Sequence, residues 1–317
     1  MVTNLLVWLG LVILVILFGW LTVRAFRGSH RILKWLLIPI SGLLTLVVAL
    51  VAVISGMGLV KLYSTHPSTA PQITVAGTPE QVARGEHIAA VLCASCHSPD
   101  KKLPLSGGKD VGKESPVPIG SLISYNLTPV GPLKGWSDGE IFQAIRVGIN
   151  PQGRTLIAMS GLAPRYLSDA DIEAVIAYLR SQPSVTTTAK EGDDPNLVFA
   201  IFLGANLVSP AEPVVGVVTA PEKGPTVEYG KYIVNYNGCR DCHGTDLAGG
   251  HSGGLTPVGP SLRVVKGWTA DQFKTTIRTG TDPSGHKLNS AIMAWDIFAN
   301  MDDEELAAVY AYLTSLQ

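Results

Sequence analysis

Residues 83–97 read ARGEHIAAVLCASCH, and residues 228–243 read EYGKYIVNYNGCRDCH. Each stretch ends in C-x-x-C-H after a run with apolar residues at helical spacing. The same order of landmarks follows both. GWSDGEIFQAIRVG at 135–148 is matched by GWTADQFKTTIRTG at 267–280. LSDADIEAVIAYLRS at 167–181 is matched by MDDEELAAVYAYLTS at 301–315. LTPVGP stands at 127–132 and again at 255–260. So many matches in one order predict a duplicated unit, spanning about 80–183 and 225–317. Ser137 and Thr269 are expected helix N-caps with acids in the turn that follows, and the last helix of each unit should start at Ser168-Asp169 or Asp302-Asp303. Every regular element predicted is a helix, so the fold class is all-α. In each unit the first helix should cross the last, with Gly85 under the Tyr178 region and Gly230 under the Tyr312 region, because glycine lets two backbones approach closely.

The motif names a chemistry. C-x-x-C-H is the attachment signature of c-type haem. Residues i and i+3 share one helical face, so Cys93 with Cys96, and Cys239 with Cys242, can reach the two vinyl groups of one porphyrin. His97 and His243 then lie under the ring as iron ligands, and the chain is expected to carry two haem c groups. The second ring nitrogen of each histidine should donate to a backbone carbonyl, which fixes the tautomer. Pro260 is the expected acceptor for His243, and Pro104 or Pro132 for His97. A zinc site would need four thiolates from two distant units at one ion. A redox dithiol prefers a thioredoxin-like βαβ setting, which this helical pattern lacks.

For the sixth ligand the sequence offers Met159 and Met293, each on a loop between two predicted helices. Each stands 19 residues before a tyrosine of its final helix, Tyr178 or Tyr312. A thioether there would close the iron's coordination and raise its potential. Met301 competes with Met293, but its counterpart is Leu167, so Met301 is expected to fill apolar space. His286 is an alternative ligand. His87 is expected on a solvent face, and Trp136, Trp268 and Trp295 in pocket walls. His251, His66 and His30 are assigned to a glycine-rich loop, a linker and a cytoplasmic loop.

Residues 1–61 form a different kind of segment. Leu5 to Val23 and Trp35 to Val60 are almost wholly apolar, and each is long enough at 1.5 Å per residue to cross a hydrocarbon core of about 30 Å. Met1–Asn4 lacks the basic side chains of a signal peptide, so an uncleaved hairpin is expected. Arg24, Arg27, Arg31 and Lys34 crowd the connection, which places it in the cytoplasm, with the N-terminus and everything after Lys61 on the periplasmic side. Residues 62–79 read as a linker. Residues 184–224 read as a second linker around one apolar run, Asn196–Val208, too short to span. That run is expected to pack on a domain face or to lie at the membrane interface.

Charge excludes one class of partner. The chain has 24 Lys and Arg and 25 Asp and Glu, but all the carboxylates lie at or beyond Glu80 and five of the basic residues at or before Lys61. The part after Lys61 is therefore acidic, and no basic stripe suggests nucleic acid.

ISYNLTP, GWSDGEIFQAIRVGINPQGRTL, the Ala158-Met159 pair and LSDADIEAVIAYLRS together resemble the cytochrome c subunit of bacterial membrane alcohol and gluconate dehydrogenases. The run DDPNLVFAIFLGANL looks like the segment that joins haem domains in that family. The resemblance covers roughly Pro79 to Gln317. It implies two tandem cytochrome c domains after the hairpin. It also implies electron transfer from a dehydrogenase toward quinone or a terminal oxidase, within a membrane complex or by way of a small soluble redox protein. Those subunits usually carry three haems, a cleaved signal and a C-terminal anchor. An N-terminal anchor before two C-x-x-C-H domains is instead similar to the dihaem subunit of cbb-type oxidases. The rival expectation is a dihaem enzyme of the peroxidase or thiosulfate-oxidising type, which needs an open iron and polar groups over it. A redox or gas sensor is a third reading, for which no signalling domain fits in the cytoplasmic loop.

Overall fold

The computed structural model describes residues 1–29, 31–161, 163–188, 191–208, 214, 216–250 and 257–317. In chain order the helices are α1 (Val2–Arg27), α2 (Arg31–Tyr63), α3 (Pro79–Ile88), α4 (Ala94–His97), α5 (Asp138–Val147), α6 (Asp169–Ser181), α7 (Leu197–Gly204), α8 (Val227–Tyr236), α9 (Cys239–His243), α10 (Ala270–Thr279), α11 (Trp295–Phe298) and α12 (Asp303–Ser315). The all-α expectation needs one amendment, since β1 (Gly120–Ile123) and β2 (Gly192–Pro195) pair into a two-stranded sheet. The chain divides into two compact bodies. One holds Met1–Ser64, Ser115–Ser121 and Asp194–Ser209, and the other holds Thr65–Glu114, Leu122–Asp193 and Pro210–Gln317.

In the first body, α1 and α2 are long and apolar enough to cross a membrane. They pack along one another and are tied by polar contacts that suit an apolar surround. Trp8 Nε1 donates to the Ala52 carbonyl at 2.8 Å, and Thr22 Oγ1 donates to Ser41 Oγ at 2.8 Å. Gly56 faces the Trp8 indole, where a side chain would crowd the ring. The apolar run at 196–208 forms α7, which packs on α2.

The second body contains both repeats apart from Ser115–Ser121. Their helices begin where the caps were expected. Ser137 and Glu140 form a capping box on α5, Thr269 and Gln272 form one on α10, and Asp302 and Glu305 form one on α12. Ser168 caps α6 through the Asp171 amide at 3.0 Å. The glycine crossings are also present. A Cβ on Gly85 would collide with the Ala174 carbonyl and crowd Tyr178, and a Cβ on Gly230 would collide with the Ala308 carbonyl and crowd Tyr312. Thus α3 meets α6, and α8 meets α12, backbone against backbone.

The segment read as a linker, 62–79, is fastened over much of its length. The His66 amide donates to the Gly153 carbonyl at 2.7 Å. The Thr69 amide donates to Gln143 Oε1 at 2.6 Å, and the Val75 amide to Asp138 Oδ2 at 2.9 Å. Gly139 leaves room for the Pro71 carbonyl. A Pro- and Thr-rich strand without helical period needs only donors and acceptors on a neighbour, and α5 supplies them.

The repeats face each other through a buried polar cluster. Arg84 on α3 donates to Asp171 on α6 at 2.9 and 3.1 Å and lies 3.3 Å from Glu305 on α12. His87 Nε2 lies 2.7 Å from Glu305 Oε2. The Tyr232 hydroxyl on α8 donates to Asp171 Oδ2 at 2.6 Å and accepts from the Ser168 amide at 2.7 Å. His87 is therefore bound to a buried carboxylate, not on a solvent face. The contact is reciprocal. His87 and Tyr232 each stand two residues after the crossing glycine, and Asp171 and Glu305 each stand three after the cap of the final helix. Each repeat thus offers the same two positions to the other, which is the pattern of a two-fold interface.

Candidate functional site

The cysteine pairs sit on short helices that continue the first helix of each repeat. In the first repeat a π-helical turn, Ala89–Cys93, leads directly into α4. In the second, α8 ends at Asn237, and Gly238 turns left-handed at φ 67° before α9 begins at Cys239. In the second repeat both thiols and the histidine share α9, whereas in the first Cys93 closes the π-helical turn as the N-cap of α4, and α4 carries Cys96 and His97. The four cysteines form no disulfide. Burial pushes the Cys93 and Cys239 thiols up to about 12 and raises Cys96 and Cys242 as well.

Cys93, Cys96 and His97 open into a cavity of about 330 Å³. Its walls are largely aliphatic, and Trp136 contributes to them. Met159, on a short 3₁₀ turn at Met159–Gly161, lines the same cavity. The structure therefore brings together the first repeat's thiols, histidine and methionine. It adds Asn237, Gly238 and Asp241, which the sequence did not single out, and Cys242 of the second motif also lines this cavity.

The histidine tautomers are set as expected in kind. His243 Nδ1 lies 2.7 Å from the Pro260 carbonyl oxygen. His97 Nδ1 lies 3.1 Å from the carbonyl oxygen of Tyr125, which corrects the expectation of Pro104 or Pro132. Burial lowers the His97 pKa, and the Tyr125 carbonyl only partly offsets it. A neutral imidazole with Nδ1–H on a carbonyl leaves Nε2 free to bind a metal.

The error about His97 has a traceable cause. The amides of Gly107 and Gly249 donate to the carbonyls of His97 and His243 at 2.8 and 3.0 Å, and those of Leu127 and Leu262 donate to Leu105 and Leu247 at 2.9 and 3.0 Å. Leu127 therefore corresponds to Leu262, not to Leu255, and the two LTPVGP strings are out of register. Leu255 and Thr256 lie outside the described residues. Tyr125 and Pro260 each precede the true counterpart leucine by two residues, a signal that becomes readable only once the register is known.

In the second repeat Met293 is half-buried on a turn just before α11. Met301 is buried in the hydrophobic core with Leu306 and Val309, as is its counterpart Leu167. His286 is exposed on a turn held by Asp282, in the place Arg154 takes in the first repeat. Trp295 covers Gly280 and donates to the Leu288 carbonyl at 3.1 Å. His251 and His30 lie outside the described residues.

Residues 80–179 match the family model described as cytochrome c oxidase, cbb3-type, subunit III, and residues 227–317 match the model for cytochrome c. The two repeats are cytochrome c domains. Partial matches to curated relatives point the same way. The chain is 27% identical over 270 residues to the cytochrome c subunit of the quinone alcohol dehydrogenase of Gluconacetobacter polyoxogenes, covering 74% of this chain and 56% of that one. It is 30% identical over 224 residues to a subunit of the nicotinate dehydrogenase of Pseudomonas putida, covering 65% of this chain and 17% of that one. It is 33% identical over 110 residues to the fructose dehydrogenase cytochrome subunit of Gluconobacter japonicus, covering 32% and 22%. The chain thus spans little more than half the length of these relatives, or less. Cytochrome c domains bind haem c, and the thiol pair, carbonyl-bound histidine, apolar walls and thioether in the first domain fit that group.

Proposed function

We propose that this chain is a membrane-anchored dihaem electron relay. Haem c, when bound, supplies a one-electron iron couple. Cys93 and Cys96 would hold one haem and Cys239 and Cys242 the other. His97 and Met159 would ligate the first iron, and His243 and Met293 the second. The aliphatic walls of the first cavity would exclude water, the Tyr125 and Pro260 carbonyls would hold the imidazole protons on Nδ1, and ligation by Met159 and Met293 would leave no open iron position for turnover chemistry.

The observation that carries the relay is the shared cavity wall. Asn237, Gly238, Asp241 and Cys242, at the second attachment motif, line the cavity of the first, so the two haems would lie close to one another with little intervening protein. The relatives' names support a dehydrogenase complex as partner. The basic residues between α1 and α2 favour a cytoplasmic connection and haem domains on the periplasmic side.

The test is spectroscopic. Purified chain should contain two haems that resist acid–acetone extraction, and the reduced protein should barely respond to carbon monoxide. Paramagnetic resonance of the oxidised protein should show magnetic interaction between the haems. A single extractable haem, or a strong carbon monoxide shift, would overturn the reading.

A further inference from the structure

Helix α7 belongs to neither cytochrome c domain and contributes nothing to the cavity. Its sequence from Leu197 to Val208, LVFAIFLGANLV, contains no charged residue. Its inner face is buried at Phe199, Ala200, Leu203 and Gly204. This face lies on α2 at backbone distance, for a Cβ on Gly58 would collide with the Ala200 carbonyl and one on Gly204 with the Ile54 carbonyl. Gly58 and Ile54 stand five and nine residues before Tyr63. At 1.5 Å per residue the contact lies roughly 8–14 Å in from that end of α2, below the last turn of the apolar span.

The ends of α7 are closed by polar groups from its own body. The Asn196 side chain accepts from the Val198 and Phe199 amides at 2.9 and 3.3 Å. Asn4, buried on α1, donates to the Pro195 carbonyl at 2.7 Å. Lys61 on α2 donates to the Leu203 carbonyl at 3.1 Å and to Asn206 Oδ1 at 2.5 Å. Backbone within hydrocarbon must be satisfied internally, and these contacts meet that requirement at both ends of α7. The outer face of α7 presents Leu197, Val198, Ile201 and Phe202, all half-exposed. It continues the exposed apolar side chains of α2 at Val53, Met57 and Val60.

We propose that α7 is a third membrane-embedded element, a half-depth helix docked on the Tyr63 end of α2, whose outer face contacts lipid acyl chains. Its occupant is the bilayer, because the face is continuous with the lipid-facing surface of the spans and carries no polar group that would register a protein partner. Helix α7 would then pin the chain between the two cytochrome c domains at the membrane.

The experiment uses the full chain in phospholipid nanodiscs containing a lipid with a diazirine in its acyl chain, with labelled residues mapped by mass spectrometry. Ile201 and Phe202 should be labelled alongside α1 and α2, while Phe199 should not. The double variant Ile201→Asp, Phe202→Asp should lose labelling of this segment while α2 labelling is unchanged. Labelled α1 and α2 with an unlabelled 197–208 segment would overturn the proposal. Crosslinks from 197–208 to a second copy of this chain would overturn it too.

Discussion

The two cytochrome c domains are copies whose shared parts and differences divide along a clear line. What is shared is the frame: a glycine crossing between first and last helix, capped helices after the Gly-Trp pair, and a histidine whose Nδ1 meets a carbonyl. What differs is how the chain travels between those points. The first domain reaches its motif through a π-turn and the second through a left-handed Gly238. From the leucine after the motif to its hydrogen-bonded partner is 22 residues in the first domain and 15 in the second. Contacts that hold or position the prosthetic group are retained, and loop length is free, because lengthening a surface loop costs little stability.

The largest test of that equivalence is attachment. Cys96→Ala and Cys242→Ala should each remove about half of the covalent haem counted per chain by pyridine haemochrome. A variant that empties both domains would break the equivalence. Next come the crossings. Gly85→Leu and Gly230→Leu should each destabilise the body by about 3 kcal/mol in chemical denaturation, from overpacking against a carbonyl that cannot move. Unequal losses would show that one crossing tolerates a side chain.

The domain interface should be weaker than the crossings and sensitive to acid. Burial alone would raise the Glu305 carboxyl, but His87 and the Asp302 amide outweigh it and hold the group below its ordinary value of 4.5. A carboxyl with a depressed folded pKa contributes stability that is complete above the unfolded value and is lost as the pH falls through the folded one. Melting temperature should therefore drop below about pH 4.5, and Glu305→Gln should flatten that drop and cost roughly 2 kcal/mol at neutral pH. An unchanged acid profile would remove the interface from this role. The smallest effects should be Ser137→Ala and Thr269→Ala, about 1 kcal/mol each from lost caps, equal within error if the copies are equivalent.

The sequence made the local features legible. Caps, helix periods, the attachment motif and the glycine crossings are all properties of short windows or of the repeat itself. Met159 stands out in the sequence because its spacing from Tyr178 is duplicated, and it lines the cavity of the first motif. Tyr125 was missed because a repeated hexapeptide suggested the wrong register, and backbone carbonyls carry no side-chain signature. The fastening of 62–79 to α5 and the bond from His87 to Glu305 were invisible for another reason. Both depend on which surfaces meet after folding, and no short window of the chain says which surfaces those are.

The reciprocal pairing of His87 with Glu305 and Tyr232 with Asp171 has a consequence for ancestry. A single-domain forebear that used this face to associate with itself would have met its own copy through the same two positions. Fusion of the two copies freed them to drift apart. The basic partners, Arg84 and His87, now sit on one copy, while the other carries Tyr229 and Tyr232 at the matching sites. The two halves now meet as lock and key, with cations on one face and tyrosines on the other. Expressed alone, the second half would bare Glu305 with no cation to meet it, and the first half would bare Asp171 without its tyrosine cover.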